Sequence, residues 1–94
     1  MTMGNGGNMM MTTNVMIQNM GFMPDTLRVT TGTMVMWSNM DGVTHTVTDA
    51  EGMFDSGGIA PGMSYQYTFT SMGTYNYYSM ANPMMKGGVV IVSN

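Results

Sequence analysis

An all-β sandwich or barrel is the fold class predicted for this chain of 94 residues. Three observations carry the prediction. Short β-favouring segments recur from Asn14 onward, divided by Gly, Pro, Asn and Asp, and strands this short at this spacing belong to sandwiches and barrels. Apolar and polar residues alternate with period two inside several of them. No stretch of about twelve residues shows the 3.6-residue period of a helix.

The elements follow in order. Residues 1–13 are Gly-, Asn- and Met-rich without periodicity and read as a tail or linker, leaving 14–94 as one domain. Val15 to Asn19 is the first candidate strand, with Val15 and Ile17 on one face and Met16 and Gln18 on the other. Thr26 to Thr30 and Thr33 to Ser38 follow; in the latter Val35 and Trp37 oppose Met34 and Met36. Thr44 to Thr48, Ser64 to Thr70, Gly73 to Ser79 and Gly88 to Ser93 complete the set. Tyr65, Tyr67 and Phe69 share a face, while Val89 to Val92 is apolar on both sides. Between strands lie turn pairs such as Thr31-Gly32, Asp41-Gly42 and Pro61-Gly62. The expected core is Phe22, Leu27, Val29, Val35, Trp37, Val47, Phe69, Tyr75, Tyr77, Val90 and Val92.

Composition excludes several function classes. Charged residues make up 7% of the chain, against about 25% in an ordinary domain. Arg28 and Lys86 are the only basic residues and the net charge is −3, so no cationic footprint for nucleic acid exists. No apolar run approaches the ~18 residues of a membrane span, and the N-terminus does not read as a signal peptide. The absence of cysteine rules out disulfides, zinc–thiolate sites and cysteine nucleophiles. Gly4-Asn5-Gly6-Gly7 lacks the Lys of a phosphate loop. Asp41, Asp49, Glu51 and Asp55 read as solvated turn residues rather than a calcium site. No Ser–His–Asp triad can be argued, so no residue is assigned a catalytic role and the chain does not read as an enzyme.

The seventeen methionines are the anomaly. Methionine is ordinarily core filler, but Met16, Met34 and Met36 fall on outward strand faces, and Met40, Met53, Met63 and Met72 sit beside turn glycines. A soft-metal surface and an engineered origin both stay open as accounts.

Tyr77-Tyr78-Ser79-Met80-Ala81-Asn82-Pro83-Met84-Met85-Lys86-Gly87, together with His45, resembles the ligand loop of the cupredoxins, the plastocyanin-like blue-copper family. That family reads Cys-x-x-His-Pro-x-Met here. Leu27-Arg28-Val29, Gly32 to Asn39, His45-Thr46-Val47, Phe54-Asp55-Ser56-Gly57 and Pro61-Gly62 to Phe69 are similar to further family blocks, in order, over roughly residues 14–94. The resemblance implies an antiparallel Greek-key β-sandwich of seven or eight strands with one copper at its end. It implies single-electron transfer without substrate turnover, a redox protein partner, and a periplasmic, extracellular or cell-surface location. His45 matches the first imidazole ligand, Ser79 the thiolate position, Asn82 the second imidazole position and Met85 the axial thioether. Asn39 matches a residue that ties the two ligand loops together.

Two of these positions depart from the family. A serine hydroxyl is hard and neutral, and an amide oxygen is a poor partner for copper(I), so the site as written is expected to bind copper weakly or to be metal-free. Ser79 and Asn82 are expected to fill it by hydrogen bonding to each other. Two alternatives remain. One is a binding protein for copper(I) or silver(I) using Met9, Met10, Met11, Met80, Met84 and Met85. The other is a structural or self-assembling module, as a surface or filament subunit or an engineered scaffold, whose Met-rich exterior makes partner contacts.

Overall fold

The computed structural model describes residues 11–94. Eight strands form two four-stranded sheets: β1 (Thr12–Gln18), β2 (Gly21–Met23), β3 (Thr26–Thr30), β4 (Thr33–Asn39), β5 (Thr48–Asp49), β6 (Ser64–Phe69), β7 (Gly73–Tyr78) and β8 (Gly88–Ser93). One sheet runs β2-β1-β4-β6 and the other β3-β8-β7-β5. The result is the all-β sandwich expected from the sequence. Each sheet also contains one parallel pair, β1 with β4 and β3 with β8, so neither is wholly antiparallel.

Alternation dictates which side chains enter the space between the sheets. Along β4, Thr33, Val35, Trp37 and Asn39 are buried while Met34, Met36 and Ser38 are half-buried on the outer face. Val15 and Ile17 are fully buried in β1, with Met16 pointing away from them. Nine of the expected core residues are buried, whereas Leu27 and Tyr75 pack at the core margin. Phe54, Ile59 and Met85 join the core without any strand alternation to announce them. Trp37 sits at the centre, with ring centroids of Tyr77, Tyr65, Phe54 and Phe69 between 5.4 and 6.4 Å away.

Three boundaries differ from expectation. The first strand begins at Thr12, inside the stretch read as tail, because Thr12 and Thr13 pair with Met34 and Val35. Gly21–Met23 forms a strand of its own, three residues being too few to show a period. Of Thr44 to Thr48, only Thr48 lies in a strand, pairing with Tyr78. The preceding backbone is held by other groups: His45 bridges Ile59, and the Val47 N–H donates to Ser56 Oγ at 2.8 Å.

Candidate metal centre

The loop after β7 is wound by two consecutive turns. The Asn82 N–H donates to the Ser79 carbonyl at 3.2 Å, and the Met85 N–H to the Asn82 carbonyl at 3.0 Å. A period of three places residues 79, 82 and 85 on one side of the loop. Opposite it, His45 is fixed by backbone hydrogen bonds with Ile59 in both directions, at 3.1 and 2.7 Å.

His45 and Ser79 are completely buried, and their side chains meet with that of Asn82. Asn82 Nδ2 lies 3.0 Å from His45 Nδ1 and also donates to the Thr44 carbonyl at 3.3 Å. The second contact requires the amide nitrogen, not its oxygen, to face the ring, so Nδ1 must accept. Ser79 Oγ lies 3.3 Å from the same nitrogen and accepts the Thr46 N–H at 3.0 Å. On the far side of the ring, His45 Nε2 donates to Asp41 Oδ2 at 2.8 Å. These partners together define a neutral imidazole protonated on Nε2. Ser79 and Asn82 thus fill the centre through His45; their side chains do not bond to each other as the sequence suggested. Met85 is buried in the core cluster beneath the loop.

Asn39 holds a different connection from the one the resemblance implied. Its amide donates to the Val43 and Ile59 carbonyls at 2.9 and 2.8 Å, and its Oδ1 accepts the Asp41 N–H at 2.9 Å. The tie between the two loops is made by Thr46 instead: its N–H reaches Ser79 Oγ, and its hydroxyl accepts the Met80 N–H at 2.7 Å. Asp41 was also missed by sequence reasoning, which read it as a solvated turn residue. Its carboxylate is mostly buried and accepts the N–H groups of Asn19 and Met20 at 2.8 and 3.1 Å besides the imidazole. Burial pushes its pKa up, but hydrogen bonds from His45, Met20 and Asn19 outweigh burial and hold it below the ordinary aspartate value. Neither residue carries a local signal, since their partners lie on other segments.

Residues 9–92 match the family described as copper binding proteins, plastocyanin/azurin family. The chain belongs to this family. Among cupredoxin relatives, it is 31% identical over 88 residues to amicyanin-alpha of Methylorubrum extorquens, covering 84% of this chain and 71% of that protein. It is 32% identical over 80 residues to amicyanin of Paracoccus denitrificans, covering 80% of this chain and 61% of the relative. A novel purple cupredoxin from Nitrosopumilus maritimus superposes with a TM-score of 0.78 at 27% identity, covering 86% of this chain and 99% of that one. The Cu(I) form of an amicyanin variant superposes with a TM-score of 0.81 at 29% identity, covering 87% and 82% respectively.

A type 1 copper centre takes two imidazoles, a thiolate and a weak axial thioether. This cupredoxin chain contains one histidine and no cysteine, so its residues cannot make up that donor set. Among the described residues, no three His, Cys, Asp or Glu side chains cluster as an alternative metal site.

Proposed function

We propose that this chain is a cupredoxin domain in which a polar network takes the place of the family's copper centre, so that the chain as written does not carry electrons through type 1 copper. The observation that carries this reading is the occupation of His45 Nδ1. The one imidazole available to a metal at this position already accepts from Asn82 and faces Ser79. A metal would have to displace both contacts and would gain no thiolate in return. His45, Ser79, Asn82 and Met85 are the residues at the vestigial ligand positions, within a domain whose start we move from residue 14 to Thr12, where β1 begins.

No enzymatic activity is assigned. Ser79, His45 and Asp41 line up as hydroxyl, imidazole and carboxylate, but Ser79 is wholly buried and out of reach of any substrate. The family's electron-carrying lineage supports a redox protein as the ancestral partner and a periplasmic, extracellular or cell-surface setting. The test is optical. Copper(II) added in equimolar amount should give no intense thiolate-to-copper band in the visible and only weak binding by calorimetry. An intense band, or tight one-to-one binding abolished by His45→Gln, overturns the reading.

A further inference from the structure

We infer that the outer face of the β2-β1-β4 sheet carries a soft-cation site built from Met16, Met23 and Met36, with silver(I) or copper(I) as its ligand. Among the described residues ten methionines are exposed, and these strands set two of them, Met16 and Met23, on one outer face with the half-buried Met36. Met16 and Met23 are directly opposite each other across the β1–β2 pair, where Cβ atoms on one face stand about 5 Å apart. Both are exposed, at 41% and 56%. Ser38 is opposite Met16 on the other side, across β1–β4. Met36 therefore lies two residues along the same face of β4, diagonal to Met16 across this parallel pair.

Thioether side chains have three rotatable bonds and adapt to such separations. Met16 and Met23 also line a shallow groove with Phe22, Pro24 and Asp25. The groove offers one carboxylate, already paired with Lys86 at 3.0 Å, and no cage of oxygens for a hard cation. Thioether sulfur selects soft, monovalent d¹⁰ ions. This site stands apart from the buried centre at His45: Val15 and Ile17, the neighbours of Met16, face the core while Met16 faces out. It therefore holds or fails independently of the proposed function.

The test is silver(I) titration of the full chain in chloride-free buffer, read from the methionine ε-methyl NMR signals. The first equivalent should shift the methyls of Met16, Met23 and Met36. Met16→Leu/Met23→Leu, a volume-conserving exchange on an exposed face, should weaken that equivalent by about ten-fold or more, the scale on which disturbed metal sites lose affinity. Met80→Leu/Met84→Leu should leave it unchanged. First-equivalent shifts confined to other methionines, or undiminished affinity in the Met16/Met23 variant, overturn the inference. The methyl readout uses the unaltered chain, so a variant that fails to fold still leaves a decisive result.

Discussion

Asp41 shows how one carboxylate organises an end of the sandwich. It accepts three hydrogen bonds, from the His45 ring and from two backbone N–H groups of the β1–β2 turn. Its lowered pKa fixes the sign of its pH effect. The unfolded carboxyl titrates near 3.9, so Asp41 stabilises the fold fully above that pH and loses its contribution as pH falls through the lower folded value. Asp41→Asn should cost about 1.5–3 kcal/mol at neutral pH, the range for hydrogen bonds to a charged group. Urea melts should show the difference from the parent narrowing as pH falls below the unfolded value and through the lower folded one, where the parent's carboxyl protonates. Tyr77 governs the alkaline side. Its hydroxyl is buried without a hydrogen-bond partner, and burial raises its pKa to about 12, the nearby Trp37 indole only partly opposing this. The unfolded phenol ionises near 10, so stability present below pH 10 drains away as pH rises toward 12, on the order of 2–3 kcal/mol for this residue. Tyr77→Phe should remove that part of the alkaline loss, and with no hydrogen bond to forfeit it should cost little at pH 7.

At the scale of elements, the β1–β2 turn carries visible strain. Asn19 and Met20 both have positive φ, 55° and 56°, the conformation of a two-residue type I′ hairpin turn. Asn tolerates it, but an unbranched side chain such as Met does so at a cost of about 1 kcal/mol. Met20→Gly would create the Asn-Gly pair that this turn favours and should raise stability by roughly 0.5–1 kcal/mol in denaturant melts, provided the Asp41 contacts persist. This hairpin was not legible in the sequence, because three residues of β2 present no alternation. β4 and β6 were legible for the opposite reason: six or seven residues with one inward face, buried in β4 and partly buried in β6, repeat the period several times. The segment at 44–48 misled because its composition favours strand, while its hydrogen bonds run to Ile59, Ser56 and Ser79 in place of a strand ladder. Gly87 shows a constraint the sequence could not reveal. A Cβ there would collide with the Tyr77 carbonyl, a backbone atom fixed in the β7–β8 ladder. Gly87→Ala should therefore destabilise by more than about 1 kcal/mol in the same melts, against near-neutrality at an open surface position.

Across the whole molecule, two loops at one end of the sandwich bring together residues 33 to 38 positions apart in sequence. The ordered family blocks pointed to His45, Ser79 and Asn82, whose side chains meet, and to Met85, which packs in the core cluster. What fills the centre was not readable, since it depends on which atom each amide and ring nitrogen faces. Asp41 and Thr46, the residues that orient His45 and join the loops, earn their roles only through distant partners. On the proposed function, the cupredoxin scaffold is retained and residue identity at two positions separates this chain from a copper carrier. The visible spectrum of Ser79→Cys/Asn82→His after addition of one equivalent of copper(II) tests this most directly. An intense thiolate-to-copper band, absent from the parent chain under the same conditions, is the predicted result. A folded double variant that stays colourless, or a parent chain that turns equally blue, would contradict it.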